Sequence, residues 1–365
     1  MKFKVVNKAF KEKMKVLSDF SFNDGMGSYV RIETADDDTV FINRENNINA
    51  CEVLIFAKIE TEGRIVLPFS ELYNVVAFSD TKELIFETSD DFLHIYTDDE
   101  KQNFEYKIKL VHMQVEPINW ETEQIFSFNA SVFTDLLKKA IFFASTDNSR
   151  AYLCGVNVEN IGGMLRISAT DGKRAFQSMP MLNGSEGEKI PPFKAFTIPI
   201  KFAKIIVKNM INLKEDIIIK VGANCISVVG RKTLMHTTLI REKFPNLDKV
   251  MDYNPPLQLS CEVAPLLKAV LRASACKDDT NGVFLELDTN AITVRAESET
   301  KMVTDTIEGH FKGDRMTISF NFDYLLIMLN AYSADFINIG ITDPNKPIIA
   351  EDHSATYMVA LRSKA

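Results

Sequence analysis

The side chains that could do chemistry in this chain are chiefly lysines at helical spacing. Lys201, Lys204 and Lys208 are three and four residues apart, which places them along one side of a helix. Two other segments repeat this spacing: Lys8, Lys11 and Lys15, and Lys268 and Arg272. A row of ammonium groups binds phosphate, although a basic stripe on one amphipathic helix is more often only its solvated side. Its recurrence on four of the six predicted helices leaves two interpretations open, a polyanion-binding surface and an ordinary solvated face.

A search for catalytic constellations finds none. The sequence has no GxxxxGK[ST], HExxH or GxSxG motif, and Thr170–Arg174 (TDGKR) lacks the spacing of a phosphate loop. The five histidines are isolated, and the five cysteines form no CxxC pair, which argues against a zinc site and a disulfide framework. Acidic runs such as Ser89–Asp91 and Lys277–Asp279 are interpreted as turns rather than metal ligands. We therefore expect no catalysis, no metal and no cofactor.

The lysines lie within a unit that the chain repeats three times. A strand leads into a short amphipathic helix at Phe3–Ser18, and the pattern returns at Phe126–Ser145 and Leu257–Ser274. A second strand–helix–strand pattern recurs in the same order: Ile65–Thr88, Phe196–Val221 and Met316–Ile341. Alternating polar and apolar residues between the helices predict antiparallel strands with one buried face. The sequence thus predicts an α+β fold of three similar domains, each with two helices packed on antiparallel sheets.

The repeat also predicts the domain boundaries. The three domains are expected at residues 1–120, 125–250 and 257–365. Prolines interrupt the two junctions, near Glu116–Gln124 and Met251–Pro256, where they disfavour helix and central strand.

Charge is distributed unevenly along the 365 residues. The net charge is −8, yet Pro199–Lys214 carries four lysines and no acidic residue. A local basic surface on an acidic protein can bind phosphate while the acidic exterior repels other polyanions. No stretch approaches the roughly 18 apolar residues of a membrane span, and lysines interrupt Met1–Val16. We expect a cytoplasmic protein with neither a membrane segment nor a signal peptide.

Four segments carry a family resemblance. They are Arg150–Glu159 (RAYLCGVNVE), Leu165–Phe176 (LRISATDGKRAF), Glu242–Met251 (EKFPNLDKVM) and Phe320–Ala331 (FNFDYLLIMLNA). They resemble the bacterial DNA polymerase III beta subunit family, the replicative sliding clamps, and the match in length and spacing runs along the whole chain. The resemblance implies the DNA-clamp fold and a ring-forming homodimer, arranged head to tail, that encircles double-stranded DNA without sequence preference. It also implies that the ring tethers the polymerase catalytic subunit, the clamp loader and other proteins through a peptide pocket.

The number of helices agrees with two chains in such a ring. Six helices of about 10 Å diameter, side by side, would close around a hole too narrow for a duplex on the order of 20 Å across. Twelve helices would leave enough room. A single chain with six helices is therefore too small, and two copies suffice.

The resemblance assigns three groups of residues. The expected DNA contacts are Lys11, Lys15, Lys138, Lys139, Arg150, Tyr152, Lys201, Lys204, Lys208, Lys268 and Arg272, with Tyr152 left open between DNA contact and core. The expected peptide pocket is formed by Leu153, Thr170, Gly172, Arg174, Pro245, Val250, Asn321, Tyr324, Met358, Val359, Leu361 and Arg362. The expected dimer interface joins Phe104, Tyr106 and Ile108 of one copy to Ser274, Ala275 and Cys276 of the other.

Some positions depart from the family pattern. Lys173 and Ala175 stand where an imidazole and a leucine are common, which predicts a wider and more basic pocket mouth. The terminal YMVALR lacks the family's usual proline, and Tyr357–Leu361 is expected to form a last strand with an exposed face over the pocket.

Two alternatives remain. A DNA-modifying enzyme with a basic groove would need a catalytic constellation, and a repeat protein that binds only other proteins would leave the lysine rows without a role.

Overall fold

The computed structural model describes residues 1–20, 28–35, 38–98, 104–113, 121–182, 189–251, 254–276 and 282–362. These residues divide into two compact units. The first comprises Met1–Thr134 and Ile205–Leu239, and the second comprises Asp135–Lys204 and Ile240–Ala365. Part of each predicted boundary segment and the acidic run Lys277–Asp279 lie outside the described residues. The division into three domains stays a prediction.

The first unit contains helices α1 (Asn7–Ser18) and α2 (Phe69–Phe78) and two antiparallel sheets. Its strands are β1 (Lys2–Val6), β2 (Tyr29–Ala35), β3 (Thr39–Glu45), β4 (Asn49–Phe56), β5 (Lys58–Thr61), β6 (Arg64–Pro68), β7 (Glu83–Ser89), β8 (Phe92–Tyr96), β9 (Glu105–Lys109), β10 (Gln124–Asn129), β15 (Asp216–Val221), β16 (Cys225–Gly230) and β17 (Thr233–Thr238). One sheet has the order β5-β1-β7-β8-β9, and the other has the order β10-β15-β16-β17-β4-β3-β2-β6.

The second unit contains helices α5 (Asp248–Met251), α6 (Val263–Ala273) and α7 (Phe322–Ala331). Its strands are β11 (Gly155–Ile161), β12 (Met164–Thr170), β13 (Arg174–Ser178), β14 (Phe196–Pro199), β18 (Leu257–Glu262), β19 (Gly282–Asp288), β20 (Ala291–Glu297), β21 (Met302–Glu308), β22 (His310–Lys312), β23 (Met316–Asn321), β24 (Phe336–Ile341), β25 (Ile348–Glu351) and β26 (Ala355–Val359). The sheet orders are β14-β11-β12-β13-β26-β25-β24-β18-β22 and β21-β20-β19-β23. Helices α3 (Ala130–Ile141) and α4 (Ile200–Met210) each have residues in both units.

Apolar periodicity accounts for how each helix docks on its sheet. Phe10, Met14 and Leu17 of α1 recur at i, i+4 and i+7, and all three are buried. Beneath them, Phe86 of β7 stacks on Phe3 of β1 with ring centroids 4.8 Å apart. Each such side chain contributes about 1.5–3 kcal/mol by leaving water. The predicted α+β fold, with helices packed on antiparallel sheets, is confirmed.

The sheets continue from one repeat into the next. β4, in repeat one, pairs with β17, in repeat two, through partners such as Val53 and Thr233. β13, in repeat two, pairs with β26, in repeat three, with Arg174 opposite Val359. Both pairs are antiparallel, and each lies inside a larger sheet. Backbone hydrogen bonds therefore join consecutive repeats.

Buried His236 on β17 leads to a prediction about pH. Its Nδ1 lies 2.8 Å from Ser227 Oγ, and burial lowers the pKa of His236 to about 4, from a usual value of 6.5. The unfolded chain binds a proton there below pH 6.5, whereas the folded chain does not until about pH 4. Stability is expected to fall by about 3 kcal/mol as the pH drops through this window.

The measurement is urea unfolding at a series of pH values, on the natural chain and on His236→Gln. The glutamine keeps a partner for Ser227 but does not titrate, so the unfolding free energy of the variant is expected to depend less on pH between 6.5 and 4. Between pH 7 and 8 the two proteins should show parallel dependences. An equally steep acid loss in both would assign the effect to other groups.

Candidate nucleic-acid and peptide interfaces

The lysine row on α4 is exposed as predicted from its spacing. Lys201, Lys204 and Lys208 are all exposed, whereas Phe202, Ala203, Ile206 and Met210 turn into the core. Lys208 forms an ion pair with Asp19, whose carboxylate also accepts a hydrogen bond from Asn209 at 3.2 Å. Within the described part of the chain, Lys201 and Lys204 form no ion pair, so their charges face solvent without compensation.

The basic residues of α1 and α6 differ in whether they form an ion pair with a carboxylate. Lys15 and Lys268 are exposed. Lys11 lies 3.6 Å from the Asp80 carboxylate, which is itself highly exposed, and such a pair is weak. Arg272 donates from Nε to Asp305 of β21 at 2.6 Å. The Arg272 guanidinium thus holds α6 to β21 and is less available to a phosphate than the spacing predicted.

On α3, two adjacent lysines have different roles. Lys138 is exposed, whereas the Lys139 ammonium donates to Ser333 Oγ at 2.6 Å and Ser354 Oγ at 3.2 Å. It also lies 3.5 Å from Asp135. The Lys139 charge is therefore used inside the second unit, which sequence spacing alone did not indicate.

Arg150 and Tyr152 lie on a 3-10 turn, Asn148–Leu153. Asp147 caps this turn by accepting from Ser149 N at 3.0 Å, and its carboxylate lies 3.3 Å from Arg150 Nε. Tyr152 is 36% exposed, so the alternative that it is an ordinary core residue is wrong. Arg150 Nη1 lies 3.1 Å from where a Cβ on Gly172 would stand, which brings a predicted DNA contact to the predicted peptide pocket.

A tight turn leads into β13 and positions the Arg174 guanidinium. Thr170 Oγ1 donates to the Arg174 carbonyl at 2.7 Å and accepts from Gly172 N at 3.0 Å. Gly172 has φ +87°, a backbone conformation that residues other than glycine rarely adopt. Arg174 Nε lies 3.0 Å from Asp171 Oδ2, and its Cζ lies 4.8 Å from the centroid of the Tyr324 ring. The guanidinium is thus fixed between a carboxylate and an aromatic face.

The predicted pocket residues separate into an accessible group and a buried group. The accessible or half-buried members are Gly172, Arg174, Pro245, Val250, Asn321, Tyr324, Leu361 and Arg362. Leu153, Thr170, Met358 and Val359 are buried. Asn321 also caps α7, because its side chain accepts from Asp323 N at 2.9 Å.

The prediction of a last strand with an exposed face is wrong. β26 ends at Val359 and lies between β13 and β25, with Tyr357 and Val359 fully buried and Met358 7% exposed. Both faces of the strand are covered, as a continuous apolar run allows. Beyond it, Ala360 N donates to Lys173 O at 2.7 Å and Arg362 N donates to Ser319 O at 2.8 Å. The tail is part of the sheet rather than a roof over it.

A buried cluster beneath the pocket was missed from the sequence. Met358 and Ala175 pack with Phe244, Leu247, Met251 and Ile349. Phe244, Leu247 and Met251 recur at i, i+3 and i+7, a signal that was present in EKFPNLDKVM, and α5 covers its end. Ala175 is fully buried in this cluster, so it does not widen the mouth as predicted. Lys173 is exposed and keeps the mouth basic.

The predicted dimer residues lie at two sheet edges. β9 is the last strand of its sheet, and Tyr106 is 50% exposed although it shares a strand face with buried Ile108. The second group, Ser274–Cys276, forms a 3-10 turn after α6 that contacts edge strand β21. Ile108 and Cys276 are 3% and 2% exposed, so neither reaches a partner without rearrangement.

Other kinds of site are not found within the described residues. No group of three or more His, Cys, Asp and Glu side chains there is placed to hold a metal ion. No helix there is long and apolar enough to cross a bilayer. The five cysteines are free thiols.

Solved structures share this fold along its full length. The DNA polymerase III beta subunit from Thermotoga maritima matches with a TM-score of 0.87 and 18% identity, covering 100% of both chains. The beta subunit from Pseudomonas aeruginosa, in a crystal structure with griselimycin, matches with a TM-score of 0.89 and 16% identity at the same coverage. The repeated strand–helix halves and their continuous sheets define a protein of the DNA-clamp fold.

Sequence comparison gives the family. The chain matches the central domain of the DNA polymerase III beta subunit over residues 127–246 and its C-terminal domain over residues 250–362. The chain belongs to the DNA polymerase III beta subunit family. The beta sliding clamp of Salmonella typhimurium is 26% identical over 247 residues, a match that spans 66% of each chain, and that of Escherichia coli has the same identity and coverage.

Proposed function

We propose that this chain is a DNA sliding clamp. Two copies form a head-to-tail ring around double-stranded DNA and tether a DNA polymerase and other DNA-processing proteins, in the cytoplasm and without catalysis of their own. The family relation supports the class of protein. The observation that carries the ring is the way in which the repeats join inside the chain.

Each junction between repeats uses the same two strands. The fourth strand of one repeat pairs with the last strand of the next, as β4 does with β17 and β13 with β26. β21 is the fourth strand of repeat three and β9 is the last strand of repeat one, and both lie at sheet edges. The same rule pairs β21 of one copy with β9 of another. The four-stranded and five-stranded sheets would then form one continuous sheet, comparable to the eight-stranded and nine-stranded sheets within the chain.

Side chains on the two edges fit this pairing. On the strand face that carries buried Ile108, Tyr106 contacts the Phe104 ring, with centroids 5.7 Å apart, and still remains half exposed. Along β21, Val303, Asp305 and Ile307 alternate with more exposed residues and form its less exposed face. Stacking the Tyr106 ring against the aliphatic side chains of Val303 and Ile307 would bury all three. On the opposite faces, Lys107 and Lys109 of β9 complement Glu308 of β21. Such edges are unpaired templates for another strand.

DNA is held mainly by enclosure in this proposal. Exposed lysines, such as Lys201 and Lys204 on α4 and Lys138 on α3, would make weak phosphate contacts without reading bases. Lysine suits a sliding contact, because its ammonium is a mobile point charge rather than a bidentate fork. The peptide-binding activity is assigned to the accessible surface formed by Arg174, Val250 and Tyr324.

Retention on DNA circles tests the proposal. Assembled protein is expected to stay on nicked circular duplex at moderate salt and to leave once the same DNA is linearised. Changing Lys201, Lys204 and Lys208 to Gln should flatten the log–log salt dependence of binding to linear duplex, by roughly 0.9 for each phosphate that the variant no longer neutralises. The topological difference between circles and linear DNA should persist in this variant, because enclosure does not depend on those charges.

The matched control removes three positive charges elsewhere, at exposed Lys58, Lys312 and Lys346. It should leave the salt slope unchanged. Equal retention of the natural chain on circular and linear DNA would contradict the ring and indicate a protein that binds DNA in an open groove.

A further inference from the structure

A cavity of about 650 Å³ opens between α3 and α7 in the second unit. This volume lies within the range of about 300–1,000 Å³ that small-molecule sites occupy. Lys138 and Phe142 line it from α3 and the residue after its end, and Leu326, Ile327 and Asn330 line it from α7. None of the accessible residues proposed for peptide binding lines this cavity.

The walls of the cavity are apolar and aromatic. Phe322, Leu325 and Leu329 of α7 turn into the core, which leaves Leu326 and Ile327 half-buried on the open side. Opposite them, Phe142 is 53% exposed. A phenyl ring half exposed beside two branched aliphatic side chains offers a flat surface and a groove for another ring.

The charges around the cavity fix what a ligand can carry. The Lys139 ammonium is already held by Ser333, Ser354 and Asp135, so it forms part of the wall. Lys138 is exposed and has no ion-pair partner among the described residues. Asp323, in the first turn of α7, also lines the cavity and would repel a second negative charge. The Lys138 cation beside the Asp323 carboxylate therefore favours a small ligand with one anionic group inside the cavity over one with several.

We propose that the α3–α7 cavity binds an aromatic monoanion, a ring system that carries a single carboxylate or sulfonate. The ring lies against Phe142, Leu326 and Ile327, and the anionic group meets the Lys138 ammonium. Asn330 also lines the cavity and is exposed; its Nδ2 donates one hydrogen to Leu326 O at 2.7 Å, and the second amide hydrogen is assigned to a polar contact with the ligand.

The probe for this site is 8-anilinonaphthalene-1-sulfonate, whose fluorescence rises in apolar surroundings. Titration of the full folded chain is expected to saturate at one site per chain. Phe142→Ala should weaken binding about 10-fold or more, because it removes the aromatic wall. Lys138→Gln should weaken it several-fold and remove most of its salt dependence.

Matched controls lie on other parts of the chain. Phe336→Ala removes a phenyl ring that is 62% exposed on β24, and Lys346→Gln removes an exposed charge. Both, and Tyr324→Ala in the peptide surface, should bind the probe as the natural chain does. Thermal unfolding verifies that each variant is folded. If Phe142→Ala does not fold, the affinity of Lys138→Gln for the probe is the test. Non-saturating fluorescence, or equal affinity in the Phe142 and Lys138 variants, would overturn the proposal.

Discussion

Tyr106→Lys is expected to convert the proposed dimer into monomers and to abolish retention on circular DNA. The Tyr106 side chain is half exposed in the single chain and contacts only the Phe104 ring among the described aromatic pairs, so we expect the substitution to leave the fold of β9 intact. In the proposed β9–β21 pair it would place an ammonium against Val303 and Ile307. The neighbouring carboxylate there, Asp305, is already paired with Arg272. An uncompensated buried charge costs about 3 kcal/mol or more, which is roughly two orders of magnitude in the dimerisation constant.

A substitution on β21, the other edge strand of the proposed interface, tests the same pairing independently. Ile307→Lys on β21 should also produce monomers, whereas Phe336→Lys, at an exposed phenylalanine on β24, should not. Sedimentation at micromolar concentration measures the mass, and release from nicked circles measures the functional consequence. A Tyr106→Lys protein that remains dimeric would place the interface elsewhere and leave β9 a free edge.

The second large effect is expected at the peptide surface. Tyr324→Ala should weaken binding of an extended peptide with leucine and phenylalanine side chains by roughly 30-fold or more, as removal of an aromatic anchor costs about 2 kcal/mol or more. The change also removes the aromatic face from the Arg174 guanidinium, which keeps its ion pair with Asp171. Fluorescence anisotropy of a labelled peptide gives the affinity.

Val250→Ser tests the apolar part of the same surface, since Val250 is 44% exposed and its truncation leaves the buried cluster in place. Phe142→Ala, which removes an exposed aromatic ring outside this surface, serves as the control and should leave peptide binding unchanged. Deletion of residues 358–365 is not an equivalent test. It removes Met358 and Val359 from the interior of a sheet, and we expect a loss of stability that would mask any effect on the peptide. Full peptide affinity in Tyr324→Ala would show that the surface is misplaced.

Much of the fold was predictable because periodicity is a local property. The apolar stripes of α1 and α4 and the alternating strands predicted six helices and antiparallel sheets in the right places. The neighbours of each strand were not predictable in this way. Paired residues of β4 and β17, such as Val53 and Thr233, are 180 positions apart in the chain, and no local pattern indicates that they pair. The unbroken apolar run at Tyr357–Val359 did carry a signal for a strand buried on both faces.

The residue types of the candidate site could be predicted from the sequence, but their hydrogen-bond and ion-pair partners could not. Spacing placed the lysines of α3 and α4 on helix surfaces, and their exposure was predicted correctly for Lys138, Lys201 and Lys204. It did not show that Ser333 and Ser354 hold Lys139, or that Asp305 holds Arg272, because those partners come from distant strands and loops. Which charges remain available for phosphate is a tertiary property.

The continuity of the sheets has a mechanical consequence for a closed ring. At the junctions β4–β17 and β13–β26, the two strands belong to one covalent chain and lie in the middle of a sheet. A force that separates these strands must break the backbone hydrogen bonds between them. Because both strands belong to one chain, they stay close together and can pair again. The proposed β21–β9 seam has no covalent link across it. A ring of two chains therefore has two seams that can open without unfolding either chain. A protein that opens the ring needs to act only at these seams.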